Sequence, residues 1–188
     1  MKQEFLSIFD EFIVREGADQ LREWLLKSDF FTAPASAKFH NAFEGGLVAH
    51  SVNVFNVMME KHFDEQVDNP ESFAICGLLH DVCKAQFYKL STRNVKNETT
   101  GEWEKVPFYT IEEKFPFGHG EKSVFLLERF MRLKIDEAVA IRWHMGGFDD
   151  AVKGGSYAIS GAYQKYPMAV KLHLSDIEAA YLVEGREE

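Results

Sequence analysis

Residues 77–84 read Gly77-Leu78-Leu79-His80-Asp81-Val82-Cys83-Lys84, and the fold is decided by what this stretch demands of the rest of the chain. An imidazole and a carboxylate, adjacent in sequence and following an apolar run, are costly to bury without partners. Either a salt bridge compensates them, which makes the pair core architecture, or further nitrogen and oxygen ligands do, which makes it a metal site. Pro70-Glu71-Ser72 opens the helix that carries them, because proline is tolerated in a first helical turn. Phe73, Ile75, Leu78, Leu79 and Val82 continue that helix toward Ala85. On such a helix Lys84, four residues after His80 and three after Asp81, shares their face.

Working outward, helical spacing recurs on both sides. Phe5, Leu6, Phe9, Phe12 and Ile13 mark a helix over 4–14 that Gly17 interrupts, and Leu21, Trp24, Leu25 and Leu26 mark the buried side of a second. Residues 29–46 have loop composition and end in Gly45-Gly46, after which a helix over 47–63 places His50 in its first turn. Past residue 87 the pattern alternates around Asn97-Glu98-Thr99-Thr100-Gly101, which predicts a two-stranded hairpin with Pro107 on an edge strand. Helices resume from Gly120, from Asp136 to His144, and from Pro167 to Val183. A glycine- and aspartate-rich loop covers 146–156, and 184–188 form a charged, frayed tail. The expected fold is all-α, a helical bundle with a small β-hairpin insertion at about 87–111. It is read as one domain over 1–188, with N-terminal helices (1–30) packed on the core and 87–113 as the insertion.

With 46% hydrophobic and 27% charged residues, 188 residues suit one sizeable core. The net charge of −9 opposes binding to long nucleic acids and anionic membranes, yet a few local cations can still hold a small phosphorylated molecule. Cys76 and Cys83, two turns apart on one predicted helix, are too distant to bridge, and the expected compartment is the cytoplasm. The N-terminus lacks a signal-peptide pattern and no apolar run approaches a membrane span.

Beside His80-Asp81, the further ligand-type residues on or next to predicted helices are His50, His119, His144 and Asp176. Intervals of 30, 38, 25 and 32 residues each match one helix plus a connection, so a bundle can aim them at a common centre. Four histidines and two carboxylates suffice for two divalent ions with one carboxylate bridging. Imidazole with carboxylate suits transition metals rather than calcium: iron or manganese first, with zinc, nickel or cobalt as alternatives. Two bridged ions lower the pKa of an intervening water and hold a phosphoryl oxygen opposite it.

The ordered set His50, His80-Asp81 and Asp176, preceded by Phe43-Glu44-Gly45-Gly46-Leu47-Val48-Ala49-His50-Ser51, resembles the H…HD…D signature of HD-domain metal-dependent phosphohydrolases. His119 and His144 match the two extra histidines of dinuclear members, and the resemblance covers roughly residues 35–184. It implies that His50, His80, Asp81 and Asp176 hold one ion, and that Asp81 bridges to a second held by His119 and His144. The implied activity is hydrolysis of a phosphomonoester or phosphodiester of a nucleotide-like small molecule by a metal-bound hydroxide. Asp81 and Lys84 are the catalytic candidates. Lys84 is also the leading substrate-binding candidate, with Lys122 and Arg142 behind it.

The same six-ligand pattern is similar to that of myo-inositol oxygenase, so a diiron oxygenase is the rival, and a metal-stabilised binding module without turnover is a third reading. Phe39, Phe87, Tyr88 and Phe148 are candidates to stack a base, with core packing as the competing role. His40 is a candidate substrate contact or loop anchor, His173 a candidate to orient a ligand, and His62 a surface residue. Gly118-His119-Gly120-Glu121-Lys122-Ser123 is not a phosphate-binding loop, because Glu121 intervenes before the lysine and no glycine lies at the required earlier position. The 146–155 loop lacks the closing glutamate of a calcium loop and is read as a flexible pocket wall. The sequence sets no oligomeric state.

Overall fold

The computed structural model describes residues 1–39 and 41–185; His40 and residues 186–188, which carry the substrate-contact reading and most of the predicted tail, lie outside them. Among the described residues the chain forms nine α-helices and one two-stranded antiparallel sheet. These are α1 (Lys2–Phe12), α2 (Ala18–Lys27), α3 (Gly46–His62), α4 (Pro70–Leu79), β1 (Tyr88–Lys96), β2 (Trp103–Ile111), α5 (His119–Glu128), α6 (Ile135–Trp143), α7 (Asp150–Lys153), α8 (Ala158–Lys165) and α9 (Pro167–Glu178). A helical fold with a hairpin is therefore present, and no described helix is long and apolar enough to cross a membrane.

The centre is α3, which packs on α4, α9 and α1. Leu47, Val54, Met58, Phe73, Ile75, Leu78 and Leu172 are fully buried in one contiguous cluster. Backbones of α3 and α4 approach closely at Gly77: a Cβ there would lie 2.7 Å from Phe55 Cα. Gly77→Ala is therefore expected to force the two helices apart and cost about 1–3 kcal/mol; an unchanged midpoint in chemical denaturation would contradict this packing. The N-terminal helices are joined to the core by Phe5, whose ring meets Phe30 and Phe31 at 5.1 and 5.4 Å between centroids. Leu26, expected on the buried side of α2, is exposed, whereas Leu21 and Leu25 are buried.

Three departures from the expected elements matter for the site. The helix opened by Pro70, capped by Asn69 Oδ1 accepting from the Ser72 N–H at 3.0 Å, ends at Leu79 rather than near Ala85. His80 is its C-cap, Asp81 leaves helical geometry (φ −102°, ψ 17°), and Val82–Lys84 form a single 3₁₀ turn. The expected common helical face is thus replaced by a tightened turn that brings Lys84 back onto Asp81. Second, 146–156 is not continuous loop: it holds a 3₁₀ turn at Gly146–Phe148 and then α7, whose N-cap Asp149 accepts from the Ala151 N–H at 2.9 Å. Third, α9 ends at Glu178 and Ala179–Val183 continue as a π turn. Helix α8 has no counterpart in the sequence reading.

The hairpin pairs Tyr88 with Ile111 and Lys96 with Trp103. Its turn is closed by Asn97 Oδ1 accepting from the Thr99 and Thr100 N–H groups, with Gly101 at φ +73°. Pro107 faces Thr92, and a two-stranded sheet has free edges to tolerate its missing donor.

Candidate metal centre

Five helices contribute polar groups to one point. His50 comes from the first turns of α3, His80 and Asp81 from the end of α4, His119 from the first residue of α5, His144 from the C-cap of α6, and Asp176 from the last turn of α9. His50, His80 and His144 are fully buried, and Asp81 nearly so.

Hydrogen bonds on the far side of three rings fix where the ring protons sit. His80 Nδ1 donates to the Gly77 carbonyl at 3.0 Å and His144 Nδ1 to the Ile141 carbonyl at 2.6 Å, since a carbonyl only accepts. His50 Nδ1 donates to Glu184 Oε1 at 2.9 Å. Each ring then turns Nε2 toward the centre, the arrangement by which outer acceptors orient metal-ligating histidines. His144 Nε2 has no hydrogen-bond partner among the described residues although it is buried, and His80 Nε2 lies 3.3 Å from His50 Nε2. Two ring nitrogens packed against one another beside two carboxylates, and a third left unsatisfied among the described residues, fit a cation in the centre.

Asp81 divides its oxygens between two sides. Oδ2 lies 3.7 Å from His50 Nε2 and 3.6 Å from His80 Nε2, whereas Oδ1 lies 2.7 Å from His119 Nε2 and 3.5 Å from His144 Nε2. Asp176 Oδ1 lies 3.1 Å from His50 Nε2. His50–His80–Asp81, His80–His144–Asp176 and Asp81–His119–His144 each bring three ligand atoms within 4.8 Å of one another.

Charge follows the same geometry. Burial pulls the His80 imidazole down to about 3, so it is neutral and its lone pair is available. Burial also opposes charge on His50 and His119, but Asp176 and Glu184 lift His50 to about 9, and Cys83 and Asp81 lift His119 to about 10. Against burial, which favours a neutral carboxyl, Lys84, His80 and His119 hold Asp81 well below the ordinary carboxylate range. His50 does the same for Asp176. Lys84 Nζ sits 2.6 Å from Asp81 Oδ2; burial disfavours its charge, but Asp81 more than restores it.

The centre opens to a cleft of about 520 Å³ whose floor carries Asp81, Lys84, His119 and Asp176. Phe39, Tyr88 and Phe148 line it, as does Tyr181 from the π turn. Phe87 does not, and instead lies under the Lys122 ammonium at 4.9 Å. Two cations expected at substrate are committed elsewhere. Lys122 pairs with Glu113 at 2.9 Å, and Arg142 pairs with Asp149 at 2.7 Å and with Glu121, stacks on Trp143 and lines a separate hollow between α5 and α6. The acidic partners, nine residues from Lys122 and seven and 21 residues from Arg142 in sequence, satisfy both cations outside the cleft. His173 Nδ1 donates to the backbone carbonyl of His144 at 2.6 Å, not to its ring; His62 is half-buried rather than on the surface.

Glu184 corrects the reading of the C-terminal residues as a frayed charged tail. Its side chain is 1% exposed and also accepts from Asn53 Nδ2 at 3.2 Å. The π turn after α9 delivers it to His50, a placement that only tertiary structure specifies. Because a carboxylate behind a ligating histidine fixes the tautomer and raises basicity, Glu184→Ala is expected to weaken metal affinity by about 10–100-fold. Chelator competition measures this, and unchanged affinity would contradict it.

A scan against protein-family models, a search of curated proteins and a search of solved structures all return no match to this chain. On its own geometry, the cluster of four histidines and two aspartates is one that can hold metal ions.

Proposed function

We propose that the chain is an HD-type metal-dependent phosphohydrolase that binds two divalent transition-metal ions, iron or manganese first, and cleaves a phosphate ester of a nucleotide-like small molecule. The observation that carries this reading is the division of Asp81 between two histidine pairs, with the Lys84 ammonium against it at the floor of a cleft. His50, His80, Asp176 and Asp81 Oδ2 would hold one ion, and His119, His144 and Asp81 Oδ1 the other. When bound, such ions supply an acidified water and a Lewis acid for a phosphoryl oxygen.

The chain's own residues account for substrate handling. Lys84 keeps its proton beside Asp81 and can direct another N–H to a phosphoryl oxygen, offsetting charge that grows in the transition state. Tyr88, pushed up to about 12 by burial against the opposing pull of Lys84, keeps its hydroxyl proton and donates it to the Ala35 carbonyl at 3.4 Å in the cleft wall. Lys153 adds a cation at the rim, only loosely tied to Asp150 at 3.6 Å. Phe39 and Phe148, both largely exposed, provide flat faces on which a base can stack.

A phosphate-release screen over nucleoside phosphates and phosphodiesters, run with iron(II) and with manganese(II), tests the proposal. Metal-dependent hydrolysis of at least one class is expected. Iron-dependent oxygen uptake without hydrolysis would replace it with the oxygenase reading, and a loaded protein inert in both assays would leave a binding module.

A further inference from the structure

The hairpin builds a further hollow of about 640 Å³ against residues 37–38 and 42–43, lined by Lys38, Phe43, Leu90, Arg93, Phe108 and Tyr109 among others. Lys38 and Arg93 in its lining have no carboxylate within ion-pair distance among the described residues, as is true of other exposed cations such as Lys96 and Lys105, whereas the less exposed Lys84, Lys122, Arg15 and Arg142 are all paired. Arg93 lies over the Phe108 ring at 5.4 Å, which supports the guanidinium plane and leaves its N–H groups uncommitted. Glu44 is close enough to act on Tyr109 electrostatically, so acidic charge is present nearby, but it pairs with neither cation.

This hollow continues the cleft. Ala35, Ser36 and Phe39 line the cleft while Ala37 and Lys38, between them in sequence, line the hollow; on β1, Tyr88 faces the first and Leu90 the second. The same two stretches of chain therefore wall both spaces. One molecule extended across them would place a phosphoryl group at Lys84 and a second anionic, ring-bearing unit at Lys38, Arg93, Phe108 and Tyr109.

Resting on the phosphohydrolase reading, we infer that the hairpin is a second substrate subsite and that the preferred substrate is a phosphodiester of two nucleotide-like units, the distal unit carrying its own phosphate. Hydrolysis adds water across the bridging P–O bond: the phosphorus gains the hydroxyl oxygen, and the departing sugar oxygen takes the proton. Aromatic faces hold the distal base without regard to its identity, and the two cations hold its phosphate.

The test compares thymidine 5′-monophosphate with the 5′-phosphorylated thymidine dinucleotide, in the wild type and in Lys38→Ala/Arg93→Ala, with thermal midpoints confirming that the variant is folded. The wild type is expected to favour the dinucleotide in kcat/KM by about tenfold or more, from one stacked base and one paired phosphate. The variant should lose most of that preference, and its salt dependence for the dinucleotide should become shallower. Hydrolysis of both compounds with equal preference in wild type and variant overturns the subsite and leaves the phosphohydrolase standing. If neither compound is hydrolysed, fluorescence anisotropy with a labelled dinucleotide decides. Binding that the double substitution weakens about tenfold supports the subsite while the proposed activity fails, and equal or absent binding overturns it.

Discussion

Asp81→Ala is expected to abolish detectable hydrolysis and to lower metal affinity by more than about 100-fold, beyond what loss of an outer-shell partner costs. Both aspartate oxygens contribute, so no single histidine substitution should match the effect. A second consequence separates the metal role from a structural one. Asp81 neutralises Lys84 inside the protein, and stripping one partner from a buried pair costs about 3–5 kcal/mol because the other charge is stranded. Adding Lys84→Met to Asp81→Ala removes the stranded ammonium. The double variant should recover stability in denaturant titrations and still fail to take up metal or to turn over. Recovery of metal binding together with stability would show that Asp81 is core architecture only.

Arg15→Ala is expected to destabilise the fold by about 3–5 kcal/mol for the same physical reason, at a place remote from the chemistry. The Arg15 guanidinium grips Glu137 through both carboxylate oxygens, at 2.7 and 2.8 Å, and Glu71 at 2.9 Å. Glu137 is fully buried and also accepts from Ser72 Oγ and the Lys134 N–H. This network ties the α1–α2 connection to the starts of α4 and α6, the two helices that carry His80 and His144. Burial favours the neutral carboxyls, but the bonds from Arg15 outweigh it and hold both glutamates below their usual range. Carboxylates with depressed folded pKa contribute stability above their unfolded value near 4.3, and that contribution disappears as pH falls through the folded value. Wild-type protein should therefore lose this part of its stability only below about pH 4. The variant, whose buried Glu137 has lost the cation that favours its charge, should instead gain relative stability as falling pH protonates that carboxylate. Coincident pH–stability curves would contradict this.

The parts of the site legible in the sequence were those with local cost or regular spacing. A histidine and an aspartate buried side by side announce that partners exist, and one ligand-type residue per helix at bundle intervals says where to look. Placement against competing charges was not legible. Lys122 and Arg142 look available in sequence, yet Glu113, Glu121 and Asp149 close on them only after α5, α6 and the 146–150 turn pack. Glu184 follows an apolar run and precedes a glycine, which reads as a terminus, and nothing local signals that a π turn returns it to His50. The early end of α4 was hidden because Val82 and Cys83 prolong the apolar pattern although Asp81 leaves the helix. Helix α8 was missed because Gly161 sits in its middle and, of its residues, only Ala162 is buried, so it carries almost no periodic apolar signal.

The most direct test of a dinuclear centre divided across Asp81 is the metal content of protein purified without exposure to chelator, measured by elemental analysis against protein concentration. About two equivalents of transition metal per chain are predicted, falling to a small fraction in Asp81→Ala. A folded wild-type protein that carries no metal and takes up none from iron(II) or manganese(II) would contradict the account.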